Sequence, residues 1–255
     1  EPTTMELTTE RRLDSMLAHI LANRSVITAP KAICTGASMG AWGSWTYAMR
    51  RPQFFGAIYG AAPHWRSHTT TPGSVYGTAW TQTGAPTLYP ISSSPNLSTR
   101  DGGGTYAAHV DMIAYVSNTA NKAPWIGWTI GKADVYGPWQ DQVDAIAALR
   151  ASGRPFAVAW NSGGHGAEPS LEGVIRSSYP RGLFVDGKGV CLFTEHSLDS
   201  DPAADATGGI NVGLTWRNVV ESPTGWSCQV TSTVGACTVK VKPALSSVFT
   251  ASVAA

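Results

Sequence analysis

The chain of 255 residues is 43% hydrophobic and 14% charged, with a formal net charge of +1. So little charge beside so much apolar content excludes a charge-rich disordered chain. No Lys/Arg block occurs, which excludes the basic footprint of a nucleic-acid binder, and no apolar run approaches the ~20 residues that span a bilayer.

That length allows one large domain or two small ones. Ten Trp and 27 Gly, among many Ser and Thr, fit a protein that handles neutral polymers outside the cell. The first residues, Glu1-Pro2-Thr3-Thr4-Met5, lack the basic-then-apolar pattern of a signal peptide, so an extracellular location requires one removed beforehand.

Leu13, Met16, Leu17, Ile20 and Leu21 recur at helical spacing and predict an amphipathic helix over 9–23. A short apolar run at 31–35 reads as a buried strand that stops at Gly36, and 42–49 reads as a helix closed by Pro52. Residues 54–60 form another apolar run. A long stretch rich in Thr, Ser, Gly and Pro follows at 61–121, with one short helix expected over 106–116. Stretches of this length commonly serve as lids or binding loops.

Strands are expected at 125–130 and 155–160. Between them Val143, Ile146 and Leu149 mark a helix over 139–151, and a further helix is expected near 169–178. This alternation predicts a mostly parallel sheet with helices on its faces. After Pro180 the pattern changes to strands at 182–193, 209–220, 225–231 and 237–242, separated by Gly, Asp and Pro turns. The expected organisation is an α/β domain at 1–180 and a small antiparallel all-β module at 181–255, with 197–208 as a flexible connection.

Cys34 and Cys191 lie in apolar runs and read as small buried side chains. Cys228 and Cys237 flank a turn between two alternating strands. They are either a hairpin disulfide, which would place the chain outside the cytosol, or two free thiols.

The strongest chemical signal is Gly36-Ala37-Ser38-Met39-Gly40, a G-x-S-x-G sequence between a strand and a helix. Such a turn exposes the Ser38 hydroxyl, and the helix N-terminus presents the Met39 amide to a developing oxyanion. A serine nucleophile needs an imidazole base, and the imidazole needs a carboxylate to set its tautomer. His165 in Gly163-Gly164-His165-Gly166 and Asp134 in Gly131-Lys132-Ala133-Asp134 each follow a predicted strand. Open α/β sheets gather their chemistry at that edge. Asp141 is the rival carboxylate, but it falls in the first turn of a helix, where Asp is common.

His64 and Trp65, just past the second strand, are the expected substrate contacts. His68, Trp80 and Tyr89 share that loop, whereas Trp42 is expected to pack. His19, His109 and His196 have no partner at a useful spacing. No His/Cys/Asp/Glu cluster has metal-ligand spacing, and Gly102-Gly103-Gly104 lacks the strand and Lys of a phosphate loop, so no metal and no cofactor are expected.

The ordered Ser38, Asp134 and His165 segments resemble the latter half of an α/β-hydrolase over residues 9–179. Within that superfamily they resemble extracellular serine esterases, including polyester depolymerases and feruloyl-type esterases. The resemblance implies that Ser38 is the acyl nucleophile, His165 the general base and then acid, and Asp134 its orienting partner. It also implies ester hydrolysis through an acyl-enzyme, on a small-molecule or polymeric ester. The segment 211–216 with Trp226 and the Cys237 strand is similar to small β-sandwich appendages of secreted hydrolases, with a shielding role or a polymer-adhesion role.

The fold so implied is an incomplete α/β-hydrolase, because no strand is legible before 31–35. An open sheet edge and a missing second oxyanion donor follow. The expected remedies are a homo-oligomer or association with a missing N-terminal half. Two other functions stay open: a weak or inactive binding module for a neutral polymer, and a serine peptidase.

Overall fold

The computed structural model describes residues 4–5, 8–23, 32–66, 98–99, 104–166, 190–222 and 225–243. The first half runs β1 (Thr4–Met5), α1 (Thr8–Asn23), β2 (Ala32–Ala37), α2 (Met39–Ala48), β3 (Phe55–Ala61), β4 (Ser98–Thr99), α3 (Tyr106–Val110) and α4 (Met112–Ser117). The second half runs β5 (Trp125–Gly131), α5 (Trp139–Ala151), β6 (Phe156–Asn161), β7 (Cys191–Thr194), β8 (Gly208–Ile210), β9 (Leu214–Ser222), β10 (Gly225–Ser232) and β11 (Lys240–Pro243). His68, Trp80, Tyr89 and the helix expected near 169–178 lie outside the described residues.

A five-stranded sheet of order β2-β3-β5-β6-β8 carries the fold. Its strands run parallel except β8, which pairs antiparallel with β6. The fold class is therefore α/β, with small antiparallel pairs added. β3, β5 and β6 are almost wholly buried. Strands covered on both faces are expected to read as near-continuous apolar runs, and these do.

Side chains alternate between two cores. On one face Ile58, Ile126, Trp128, Ile130, Val158 and Trp160 meet Trp45 and Ala48 of α2, Met112 and Val116 of α4, and Ile146 and Leu149 of α5. On the other face Ala57, Tyr59, Trp125, Ala157 and Ala159 meet Val190, Cys191, Leu192, Phe193, Leu214 and Trp216. Small alanines on that face let the C-terminal strands approach closely, so these strands take the place of a helical layer.

Of the C-terminal strands β8 joins the central sheet, while β7 and β9 pack against its second face. The stretch expected to be a flexible connection is pinned instead: Lys132 Nζ donates to the carbonyls of Pro202 and Asp205 at 3.0 and 3.1 Å. The indoles of Trp139 and Trp160 donate to the same two carbonyls.

The hairpin expected to join Cys228 and Cys237 does not form. β10 pairs with β9, and β11 pairs with β7, so the chain crosses between two separate two-stranded sheets after Ser232. Cys228 faces Cys191 rather than Cys237, and all four cysteines are free thiols. Local alternation predicts strands, but packing decides which strands pair.

At the other end of the sheet β2 has no outer partner among the described residues, and its residues alternate between exposed and half-buried. The nearby helix α1 docks by charge. Arg51 pairs with Glu10 and Asp14, and the Tyr47 hydroxyl donates to Asp14 Oδ1 at 3.0 Å. Leu13, Met16 and Ile20 stay exposed, and only Leu17 packs against the core. The amphipathic stripe read from the sequence is real, but the half-buried guanidinium draws the acidic side of the helix inward.

Candidate active site

The turn after β2 is set by two close approaches. A Cβ on Gly36 would run into the Gly40 carbonyl, so glycine is required there. Ser38 adopts φ 53° and ψ −120°, a left-handed conformation that costs a non-glycine residue on the order of 1–3 kcal/mol. Its amide donates to the Ala61 carbonyl at 2.8 Å, and its carbonyl accepts the Trp42 amide at 3.1 Å. Strand pairing on one side and the first turn of α2 on the other hold the strain. The same geometry makes Ser38 the N-cap of α2 and Met39 its first residue.

The turns after β5 and β6 are strapped to each other. A Cβ on Gly131 would strike the Gly163 carbonyl. Lys132 and Ala133 donate their amides to Asn161 and Gly163 at 2.7 and 2.9 Å, and Asn161 Oδ1 accepts the Gly163 amide at 2.9 Å. These contacts bring Asp134 and His165 together.

His165 Nδ1 lies 2.8 Å from Asp134 Oδ2, and His165 Nε2 lies 3.0 Å from Ser38 Oγ. A carboxylate only accepts, so Nδ1 is the donor and the Nε2 lone pair faces the serine hydroxyl. Asp134 Oδ1 accepts the amides of Tyr136 and Gly137 at 2.8 and 3.2 Å. The Asp134 carboxylate is fully buried, whereas 28% of the His165 side chain is open to solvent. The arrangement can abstract a proton from Ser38, hold the positive charge against Asp134, and return the proton.

The other expected site residues are placed differently. Trp65 is fully buried. Its ring centroid lies 5.3 Å from that of Trp45 and 5.2 Å from that of Trp128, and its indole donates to Gln142 Oε1 at 3.1 Å. It is a core residue, because the chain after β3 turns inward at Ala62 (φ 52°) instead of out to solvent. His64 is likewise buried beside Asp134 and His165. Burial holds its imidazole down at about 4, against the pull of Asp134 and with the push of His165. Neither residue stands where a substrate would touch it. Asp141 pairs with Arg66 rather than with His165, and burial pushes its carboxyl up to about 6.

Among the described residues, an accessible aromatic at the site is Tyr136. It is exposed, and its ring meets the His165 imidazole edge-on with centroids 4.9 Å apart. Val135 and Met39 are also exposed. Met39 follows Ser38 directly, and Val135 and Tyr136 lie one and two positions after Asp134; closeness to Ser38 and Asp134 in sequence is the signal that points to them. Among the described residues no His, Cys, Asp and Glu side chains gather as a metal site, and no helix is long and apolar enough to cross a membrane.

No protein-family model and no curated protein matches the chain. Structural overlaps fall on solved peptidases, esterases and lipases. An acylaminoacyl peptidase in complex with Z-Gly-Gly-Phe-chloromethyl ketone is 14% identical, with a TM-score of 0.42 over 63% of this chain and 23% of that one. A ferulic acid esterase is 19% identical, with a TM-score of 0.41 over 64% of this chain and 56% of that one. A monoacylglycerol lipase of Paleococcus ferrophilus is 16% identical, with a TM-score of 0.37 over 64% of this chain and 67% of that one. The chain thus spans about a quarter of the first of these structures and little more than half of the second.

Proposed function

We propose that the chain is the catalytic part of a serine carboxylic-ester hydrolase that works through an acyl-enzyme. The observation that carries this reading is the hydrogen-bonded line from Asp134 through His165 to Ser38, ending on a serine in a strained left-handed conformation. Ser38 Oγ attacks the ester carbonyl as His165 Nε2 takes its proton. The Met39 amide faces the oxyanion, and His165 then protonates the departing alcohol. Water activated by the same imidazole releases the acid.

A neutral ester, small or polymeric and of polyester or feruloyl/aryl type, fits a rim made of Met39, Val135 and Tyr136 with no charged side chain among them. The chain is proposed to act outside the cell, in keeping with its low charge and many Trp. The test is labelling by a fluorophosphonate and turnover of a p-nitrophenyl ester by wild type and Ser38→Ala. Labelling and turnover that vanish only in the variant support the reading, and a wild type that does neither refutes it.

A second reading is favoured by the open outer edge of β2. An amide from that side would complete the oxyanion hole, and none comes from it among the described residues. Loss of one such donor costs about 10²–10³ in rate. The chain is then either a weak hydrolase-like binder of a neutral polymer, or one that gains its second donor from a further copy or from upstream polypeptide. Binding to polyester or xylan without turnover marks the first. A stable monomer by light scattering at micromolar concentration excludes the homo-oligomer.

A further inference from the structure

The two sulfurs that meet in this molecule are 37 positions apart and lie on different sheets. Cys191 opens β7, Cys228 lies within β10, and their Sγ atoms are 3.4 Å apart. β10 is irregular at this point. Ser227 and Gln229, on either side of Cys228, pair with Val220 and Arg217, so Asn218 and Val219 together oppose one cysteine. Asn218 takes the left-handed conformation (φ 54°) that an extra residue in a bulge commonly needs. A bulge bends its ribbon and re-aims a side chain, and here Cys228 packs against the core that contains Cys191.

The neighbourhood gives that contact something to secure. β9 and β10 form a two-stranded sheet among the described residues, and such a ribbon is marginal unless it is held from outside. What holds it is one apolar face, where Leu214 and Trp216 reach the second core and the Trp216 ring lies 5.8 Å from that of Phe193. Cys237 also packs against this core, but its sulfur is not the one that meets Cys228. The strand that follows it pairs with β7, which removes the cross-strand register a link to Cys228 would use.

We propose that Cys191 and Cys228 form an inter-sheet disulfide that locks the β9–β10 ribbon onto β7 and, through it, onto the central sheet. The oxidant is a disulfide such as oxidised glutathione. Cys228, the more exposed thiol, first exchanges with it to give a mixed disulfide and one free thiol. Cys191 then displaces the second thiol and closes the Sγ–Sγ bond. Two S–H bonds are lost, one S–S bond forms, and the oxidant leaves as two thiols. Burial and the neighbouring thiol push the Cys191 pKa up, so closure in the folded state is slow and is faster while the chain folds.

The test is to refold the reduced chain in a glutathione redox buffer and map its peptides without reduction. The expected result joins the Cys191 and Cys228 peptides in a species two hydrogens lighter, with Cys34 and Cys237 alkylated after denaturation. Cys237→Ala should keep that link and also keep a rise in unfolding midpoint on oxidation, which reduction reverses. A Cys228–Cys237 link, four alkylated thiols, or loss of the link in Cys237→Ala would each overturn the proposal. Esterase activity plays no part in these readouts.

Discussion

Asp134 Oδ2 lies 2.8 Å from His165 Nδ1, while Oδ1 of the same carboxylate holds the amides of Tyr136 and Gly137. The two oxygens thus do separate work. Asp134→Asn can keep the oxygen that caps the turn but puts an amide donor against Nδ1–H. The imidazole then favours the wrong tautomer and presents a proton to Ser38. We expect kcat/KM on a p-nitrophenyl ester to fall by about 10⁴, with a thermal midpoint close to that of wild type. A variant that keeps near-wild-type turnover would remove Asp134 from the mechanism.

Gly36 and Gly40 look alike in the sequence but not in space. An added Cβ at Gly36 meets the Gly40 carbonyl, whereas one at Gly40 finds nothing within 4 Å. Gly36→Ala should destabilise the fold by about 1–3 kcal/mol in urea titrations and abolish fluorophosphonate labelling. Gly40→Ala should fold with an equal or higher midpoint, since alanine is the better helix former. The reverse order of effects would show that the turn is built differently.

Two buried groups oppose each other over the same acid range. The His64 pKa is held at about 4 in the fold against 6.5 unfolded, so the unfolded chain binds more protons between those values. The stability this group contributes is present above 6.5 and lost as pH falls towards 4. Asp141 is raised from 3.8 to about 6 by burial, against the pull of Arg66 and with the push of Asp144 and Asp111. Its contribution is present below 3.8 and lost as pH rises to about 6. The two slopes nearly cancel in wild type. Asp141→Asn should expose the His64 term, as a loss on the order of 3 kcal/mol on acidification from 6.5 to 4. Denaturant unfolding at a series of pH values measures it, and a flat profile in Asp141→Asn would mean that His64 titrates normally.

Trp65 and Tyr136 should separate stability from substrate contact. Trp65→Ala empties a fully buried position and should cost about 3–5 kcal/mol of stability, with little change in KM for whatever remains folded. Tyr136→Ala removes an exposed ring beside His165 but leaves its backbone amide on Asp134. It should unfold much as wild type does while KM for aryl esters rises. Steady-state kinetics on two ester lengths, paired with melting curves, distinguish the two residues.

The Ser38, Asp134 and His165 positions were legible because each follows a strand that its own apolar run announces, and parallel strands bring their C-terminal ends together. What strapped them was not legible. The Gly131–Gly163 approach and the Asn161 side chain act between turns about 30 positions apart, and no local pattern records such a contact. The segment around Trp65 has loop composition, whereas its depth follows from the turn at Ala62. The C-terminal strands were foreseen one by one, but their partners were not. Their apolar faces fit one another and also the alanine face of β3 and β6, and only packing chooses between them.

Ser38 hangs from β2, an edge strand of the sheet among the described residues, whereas Asp134 and His165 hang from interior strands whose Trp128 and Trp160 pack into the main core. Edge strands open locally at lower free energy than a core does. Heating should therefore loosen Ser38 first and leave Asp134 and His165 in register. Reaction with a fluorophosphonate would then fade at a temperature where tryptophan fluorescence still reports a native interior. An inactivation curve would precede the melting curve, and amide exchange would be fastest along β2. Heat tolerance would be governed by what anchors that one strand, so anchoring β2 would extend working temperature more than reinforcing the tryptophan core.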